Sequence, residues 1–229
     1  LNRLLLKGLS LIFLVLLFSG CLAGRPGQEI SFVTPDGVTL SGRLAGIGET
    51  GVILSHMKGG SQVDWWPFAR VLEDQGYTSL VFDFRGYGKS GGEIDLNKLH
   101  IDLQSALKYL QDKGISEIFL VGASMGGTAS IKVASEYNTT GIVTISAPVV
   151  ISDGLDVTTD INKIEEAKLF IAAEDDKFHA RTLDLLLQNS TNYSKAYRLS
   201  GANHGTDIFD GENGDRARGL ILDFMRRNQ

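Results

Sequence analysis

Ser124 lies at the centre of Gly122-Ala123-Ser124-Met125-Gly126, a G-x-S-x-G run. A serine hydroxyl is a weak nucleophile until a base takes its proton. It must also stand clear of the surrounding backbone before an acyl carbon can reach it. A tight, strained turn between a strand and a helix does this, with glycines on either side so that neighbouring chain can pass close. Five residues are a weak match in a chain with 27 glycines, so the context decides. Ile118 to Val121 reads as a buried strand just before the run. Thr128 to Tyr137 is helical in composition just after it, and Gly127 adds further room.

The base has four candidates: His56, His100, His179 and His204. His204 sits in Gly201-Ala202-Asn203-His204-Gly205, directly after the last expected strand and before the final helix. That is a loop at the same sheet edge as Ser124, so His204 is the expected base. An imidazole base needs a carboxylate to hold its tautomer and to stabilise the imidazolium. The loop Glu174-Asp175-Asp176-Lys177 offers three, and Asp153 and Asp156 are rivals after the preceding strand. A tetrahedral oxyanion needs preorganised N–H donors. The backbone N–H of Met125 is one, directly after the nucleophile. The other is expected from His56-Met57-Lys58-Gly59-Gly60, at the backbone of Lys58.

These residues need a scaffold, and the chain supplies strand and helix patterns in alternation. Ile30 to Thr34 and Val38 to Ala45 read as a hairpin about the turn Pro35-Asp36-Gly37. Val52 to Ser55, Thr78 to Phe84, Ile118 to Val121, Ile142 to Ile145, Leu169 to Ala172 and Ala196 to Leu199 read as six more strands. Trp65 to Gln75 reads as a helix ended by Gly76. Leu99, Leu103, Ala106, Leu107 and Leu110 repeat at helical spacing up to Gly114. Short, doubly apolar strands alternating with helices predict an α/β fold: an eight-stranded, mostly parallel sheet flanked by helices. The short stretch between Ile145 and Leu169 leaves no room for a large cap domain. Trp65 and Trp66, after the oxyanion loop, are candidate lining of an acyl pocket.

In order and spacing, His56-Met57-Lys58, Asp83-Phe84-Arg85-Gly86-Tyr87-Gly88-Lys89-Ser90, the turn at Ser124, Asp176 and His204 resemble the α/β-hydrolase series. The likeness covers nearly all of residues 29–229. It implies a Ser-Asp-His triad and selects the acid. The family's strand before the acid often ends G-x-x-D, and Ala173-Glu174-Asp175-Asp176 fits that frame, with alanine for glycine. A second departure is Met57, where the family usually has glycine. The resemblance implies that His56 is structural and that Asp83 and Arg85 order their loop. A serine nucleophile implies an esterase, lipase, thioesterase, acyltransferase, peptidase or C–C hydrolase. Of these, we expect carboxylic-ester hydrolysis with no metal and no organic cofactor, on a small-molecule acyl substrate. The same triad also serves acyl transfer and peptide cleavage, and a non-catalytic surface binding protein could keep the fold.

The remaining features bear on location. Of 229 residues, 22 are basic and 27 acidic, for a formal charge of −5. No basic cluster suggests a nucleic-acid partner. Arg3 and Lys7 precede an apolar run, Leu9 to Phe18, broken only by Ser10. A basic start, a short apolar centre and a small-residue end are the parts of a secretory signal. The run ends Leu17-Phe18-Ser19-Gly20-Cys21, which resembles a prokaryotic lipobox, and Cys21 is the chain's one cysteine. The resemblance implies a lipidated Cys21 and a chain held at a membrane outside the cytoplasm. A simple signal peptide and an uncleaved anchor are the alternatives. The expected organisation is a signal over 1–20, a tether over 21–28 and one hydrolase domain over 29–229.

Overall fold

The computed structural model describes residues 25–229. The apolar N-terminal run, Cys21 and the first part of the tether lie outside the described residues. Ten strands and five α-helices follow one another: β1 (Gln28–Val33), β2 (Thr39–Ala45), β3 (Thr50–Ser55), α1 (Trp66–Asp74), β4 (Thr78–Phe82), α2 (Leu99–Gln111), β5 (Glu117–Ala123), α3 (Met125–Ala134), β6 (Gly141–Ile145), β7 (Val150–Ser152), β8 (Leu155–Asp156), β9 (Ala167–Ala173), α4 (Lys177–Asn189), β10 (Ser194–Leu199) and α5 (Gly214–Arg227). Eight of the strands form one sheet in the order β1-β2-β4-β3-β5-β6-β9-β10. β2 runs antiparallel to both neighbours, and every later pair is parallel.

All eight expected strands are present, and the sheet is covered on both faces. Side chains alternate along each strand, so each strand feeds two cores. Ile53, Leu120, Ile142 and Phe170 point toward the α2, α3 and α4 face. Leu54, Val121, Val143 and Leu169 point toward the α1 and α5 face, where Phe68, Leu72, Ile221 and Phe224 meet them. A sheet buried on both sides reads as nearly continuous apolar runs, as these strands do.

The structure adds detail to the expected fold in three places. The helix expected from Thr128 begins at Met125, because the turn at Ser124 leads straight into it. The connection after β6 holds a small hairpin, β7 with β8, and a single turn at Ile161–Lys163, and no large cap is evident among the described residues. α4 lies between β9 and β10. No helix among the described residues is long and apolar enough to cross a membrane.

Candidate active site

The register of the sheet brings the functional segments to one edge. Ser55 pairs with Gly122, Ala123 with Ile145, and Leu199 with Ala173. The loops after β3, β5, β9 and β10 therefore leave the sheet side by side. Parallel sheets place ligand sites at this carboxyl edge.

Ser124 has φ 50° and ψ −116°, a left-handed conformation unusual for a non-glycine residue. Its N–H donates to the Ile145 carbonyl at 2.7 Å, which fastens the turn to the next strand. The flanking glycines are needed for close approach. A Cβ on Gly122 would lie 2.3 Å from the Gly126 carbonyl, and one on Gly126 would lie 2.4 Å from the Ser55 carbonyl oxygen. The Ser55 hydroxyl donates to Gly126 O at 3.2 Å, so the end of β3 is stitched to the first turn of α3. The loop His56-Met57-Lys58 follows directly from that contact. Lys58 is exposed on a turn closed by Gly60 N–H to Met57 O at 3.1 Å.

His56 is fully buried, and both of its ring nitrogens are engaged. Nδ1 lies 2.8 Å from Met57 O, and Nε2 accepts from Phe84 N–H at 3.1 Å. One donor and one acceptor fit a neutral imidazole. Burial pushes its pKa down, in line with that role. His56 is thus a structural pin between two loops. Asp83 accepts from the Gln62 N–H and side-chain amide and from Lys89 N–H, and so orders the loop after β4. Arg85 is locked to Asp102 and Asp36.

The loop after β9 is zipped to the loop after β10. Glu174 N–H donates to Leu199 O at 2.8 Å and Asp175 N–H to Gly201 O at 2.9 Å. Asp176 comes next, and its Oδ2 lies 2.7 Å from His204 Nδ1. Asp175 turns away to an exposed pair with Lys177. Gly205 abuts Ala123 and Met57: a Cβ there would lie 3.5 Å from Ala123 Cβ and 2.7 Å from Met57 Sδ. His204 and Ser124 therefore adjoin residues already in contact. Met57, in place of the family's glycine, packs its side chain into this junction.

His179, one of the four histidines weighed as the base, joins the group. His179 Nδ1 lies 2.7 Å from the other carboxylate oxygen of Asp176, and its ring centre is 4.2 Å from that of His204. Burial tends to raise the Asp176 pKa, but hydrogen bonds from His179 and His204 and their nearby charge outweigh it, and the carboxyl is held low. Asp176, His179 and His204 can bring one ligand atom each to within 4.8 Å of one another, a set of two imidazoles and a carboxylate able to hold a divalent cation. Both Nδ1 atoms, however, are spent on the carboxylate.

Trp65 and Trp66, candidates for lining an acyl pocket, take other places. Trp65 is wholly buried against Phe68 and Phe209. Trp66 borders a cleft with Arg25, Arg43, Gln62, Asp83 and Lys89, a lining that does not include Ser124, Asp176 or His204.

Comparison with known proteins agrees with this architecture. A carboxylesterase of Bacillus subtilis (strain 168) is 29% identical over 123 residues, covering 51% of this chain and 46% of that protein. The uncharacterized protein YfhR of Escherichia coli O157:H7 is 28% identical over 126 residues, 50% of this chain and 44% of YfhR. The matches thus span less than half the length of these relatives. An esterase of Pyrococcus furiosus superposes with a TM-score of 0.76 at 22% identity, over 89% of this chain and 91% of the esterase. At that identity the likeness speaks for the fold. The family model described as alpha/beta hydrolase fold matches residues 50–202, two-thirds of the chain, from β3 through the loop that leads to His204. The chain belongs to the α/β-hydrolase fold family.

Proposed function

We propose that the protein is a serine hydrolase that cleaves carboxylic esters or thioesters through an acyl-enzyme. The observation that carries this reading is the Asp176 Oδ2 to His204 Nδ1 contact of 2.7 Å beside a strained serine turn. Ser124 Oγ attacks the acyl carbon as His204 Nε2 takes its proton. The oxyanion is held by the N–H groups of Met125, at the positive end of α3, and of Lys58. Collapse of the intermediate expels the alcohol or thiol, which leaves with the proton from His204. Water, deprotonated by the same imidazole, then releases the acid and restores Ser124. The esterase names among the similar proteins support ester chemistry over peptide cleavage.

The test is labelling with a fluorophosphonate probe together with hydrolysis of p-nitrophenyl acyl esters of increasing chain length. Native protein should be labelled and active. Ser124→Ala should abolish labelling and lower kcat by about 10⁶-fold. An unlabelled native protein would overturn the enzymatic reading and leave a binding protein on this fold.

The same proposal places the enzyme outside the cytoplasm, held to the membrane by a lipid on Cys21. The lipobox-like Leu17-Phe18-Ser19-Gly20-Cys21 supports it. Mass spectrometry of the N-terminus should find a diacylglyceryl-modified Cys21. An unmodified Cys21 or cleavage elsewhere would refute it.

A further inference from the structure

Asp176 is the N-cap residue of α4, yet its side chain makes no capping bond to that helix. An aspartate at this position ordinarily accepts from the backbone N–H of the second or third helical residue. That bond also sets the carboxylate's rotamer. Here the third residue of α4 is His179, and its imidazole does the donating. The two carboxylate oxygens are divided, Oδ1 to His179 and Oδ2 to His204, each at 2.7 Å. Asp176 and His179 are largely buried, with side chains 13% and 18% exposed, while His204 is 32% exposed. His179 is itself held from three sides. Its carbonyl accepts from Thr182 Oγ1 at 2.9 Å, Phe178 meets its ring edge-on at 4.9 Å, and the His204 ring lies against it.

We propose that His179 is a positioning residue of the triad. It replaces the missing helix cap as the clamp on Asp176, and fixes the carboxylate plane so that Oδ2 faces His204. The inference rests on the serine-hydrolase reading and deepens it. A carboxylate held at one oxygen only can swing about its terminal torsion, and it would then share the second oxygen with water. With Oδ1 clamped, the hydrogen bond that orients His204 is in place before substrate arrives. Such preorganisation acts on kcat and leaves substrate binding alone, since His179 faces the carboxylate and not the acyl group. The N–H donor is what matters, and not the ring. Asparagine carries an amide nitrogen the same number of bonds from the backbone as Nδ1, so it can supply the donor without the imidazole.

The experiment compares native protein, His179→Phe, His179→Asn and Ser124→Ala on a p-nitrophenyl ester, with fluorophosphonate labelling alongside. His179→Phe should lower kcat by about 10- to 100-fold, as expected for a misplaced catalytic group, with KM unchanged. His179→Asn should recover most of the loss. Proton–nitrogen spectra of native protein labelled at histidine should show two Nδ1–H signals shifted downfield and protected from solvent, one from each imidazole on Asp176. This readout stands even if His179→Phe does not fold. If the native enzyme labels at Ser124 but His179→Phe keeps full kcat, the positioning role falls and the hydrolase reading survives. The role also falls if His179→Asn is as impaired as His179→Phe, or if only one downfield signal is present. If native protein is not labelled at all, both readings fall together.

Discussion

Single residues divide the labour at this site sharply. Asp175 and Asp176 are neighbours of the same type, yet one pairs with exposed Lys177 and the other sits between two imidazoles. Asp176→Asn should lower kcat by about 10⁴-fold, because the amide can stabilise the wrong tautomer of His204 and cannot balance the imidazolium. Asp175→Asn should leave kcat within about twofold of native, because the pair it loses is solvent-screened. Steady-state kinetics on the two variants separate them. Equal losses would show that the acid had been misassigned.

At the scale of elements, the strand-turn-helix unit β5–α3 is held by close backbone approach more than by side-chain bulk. Gly126 is the point where this unit meets β3, pressed against the Ser55 carbonyl at the end of that strand. Gly126→Ala must push β3 and α3 apart, and with them the oxyanion loop. Overpacking of this kind costs about 1–3 kcal/mol, which lowers the Tm of a domain this size by about 2–12 °C. Calorimetry should show that fall, and kcat should drop with it, because the proposed oxyanion donors, Met125 on α3 and Lys58 after β3, would be moved relative to each other. A variant with native Tm and kcat would mean that β3 and α3 are not coupled through this contact. Gly59 tests the argument from the other side. A Cβ there meets no atom within 4 Å, so Gly59→Ala would suffer only from its positive φ.

Across the whole molecule, a buried charge network ties the opening hairpin to the sheet and to α2. Arg85, 3% exposed, reaches Asp36 in the β1–β2 turn and Asp102 in α2, and Lys98 adds a second cation to Asp36. Hydrogen bonds from Arg85 and Thr34 hold the Asp36 carboxyl well below the usual carboxylate range. A carboxyl whose folded pKa lies below its unfolded value near 3.9 binds fewer protons when folded. Its stabilisation is present above that value and is lost as the pH falls through the folded one. Asp36→Asn should therefore lower Tm at pH 7 by about 2–4 °C, roughly 1 kcal/mol after allowance for its partial exposure. The gap between variant and native should narrow as the pH falls from 4 toward 2. A gap constant across that range would assign the loss to packing and not to charge. Asp102 moves the opposite way: burial raises its pKa despite its hydrogen bonds from Arg85.

How much of this could be read in advance follows from the range of each cause. The eight strands, the fold class, Ser124 and His204 were legible, because alternation of apolar runs, glycine spacing and loop position are local properties of the chain. Asp176 needed the family's G-x-x-D frame, since three carboxyls stood side by side and nothing local separates them. His179 had a signal, the third helical position after an aspartate N-cap, but it required α4 to be recognised first. Ala180, Leu183 and Leu186 at helical spacing are the trace of that helix. Trp65 and Trp66 could be placed in an aromatic cluster but not on a side, because only packing decides whether a ring faces a core or a cleft. By itself, then, the sequence determined the sheet and the places of Ser124 and His204 along it. The tertiary structure decided that the Asp176 carboxylate meets His204 and is shared with His179, through contacts between loops that only the sheet register brings together.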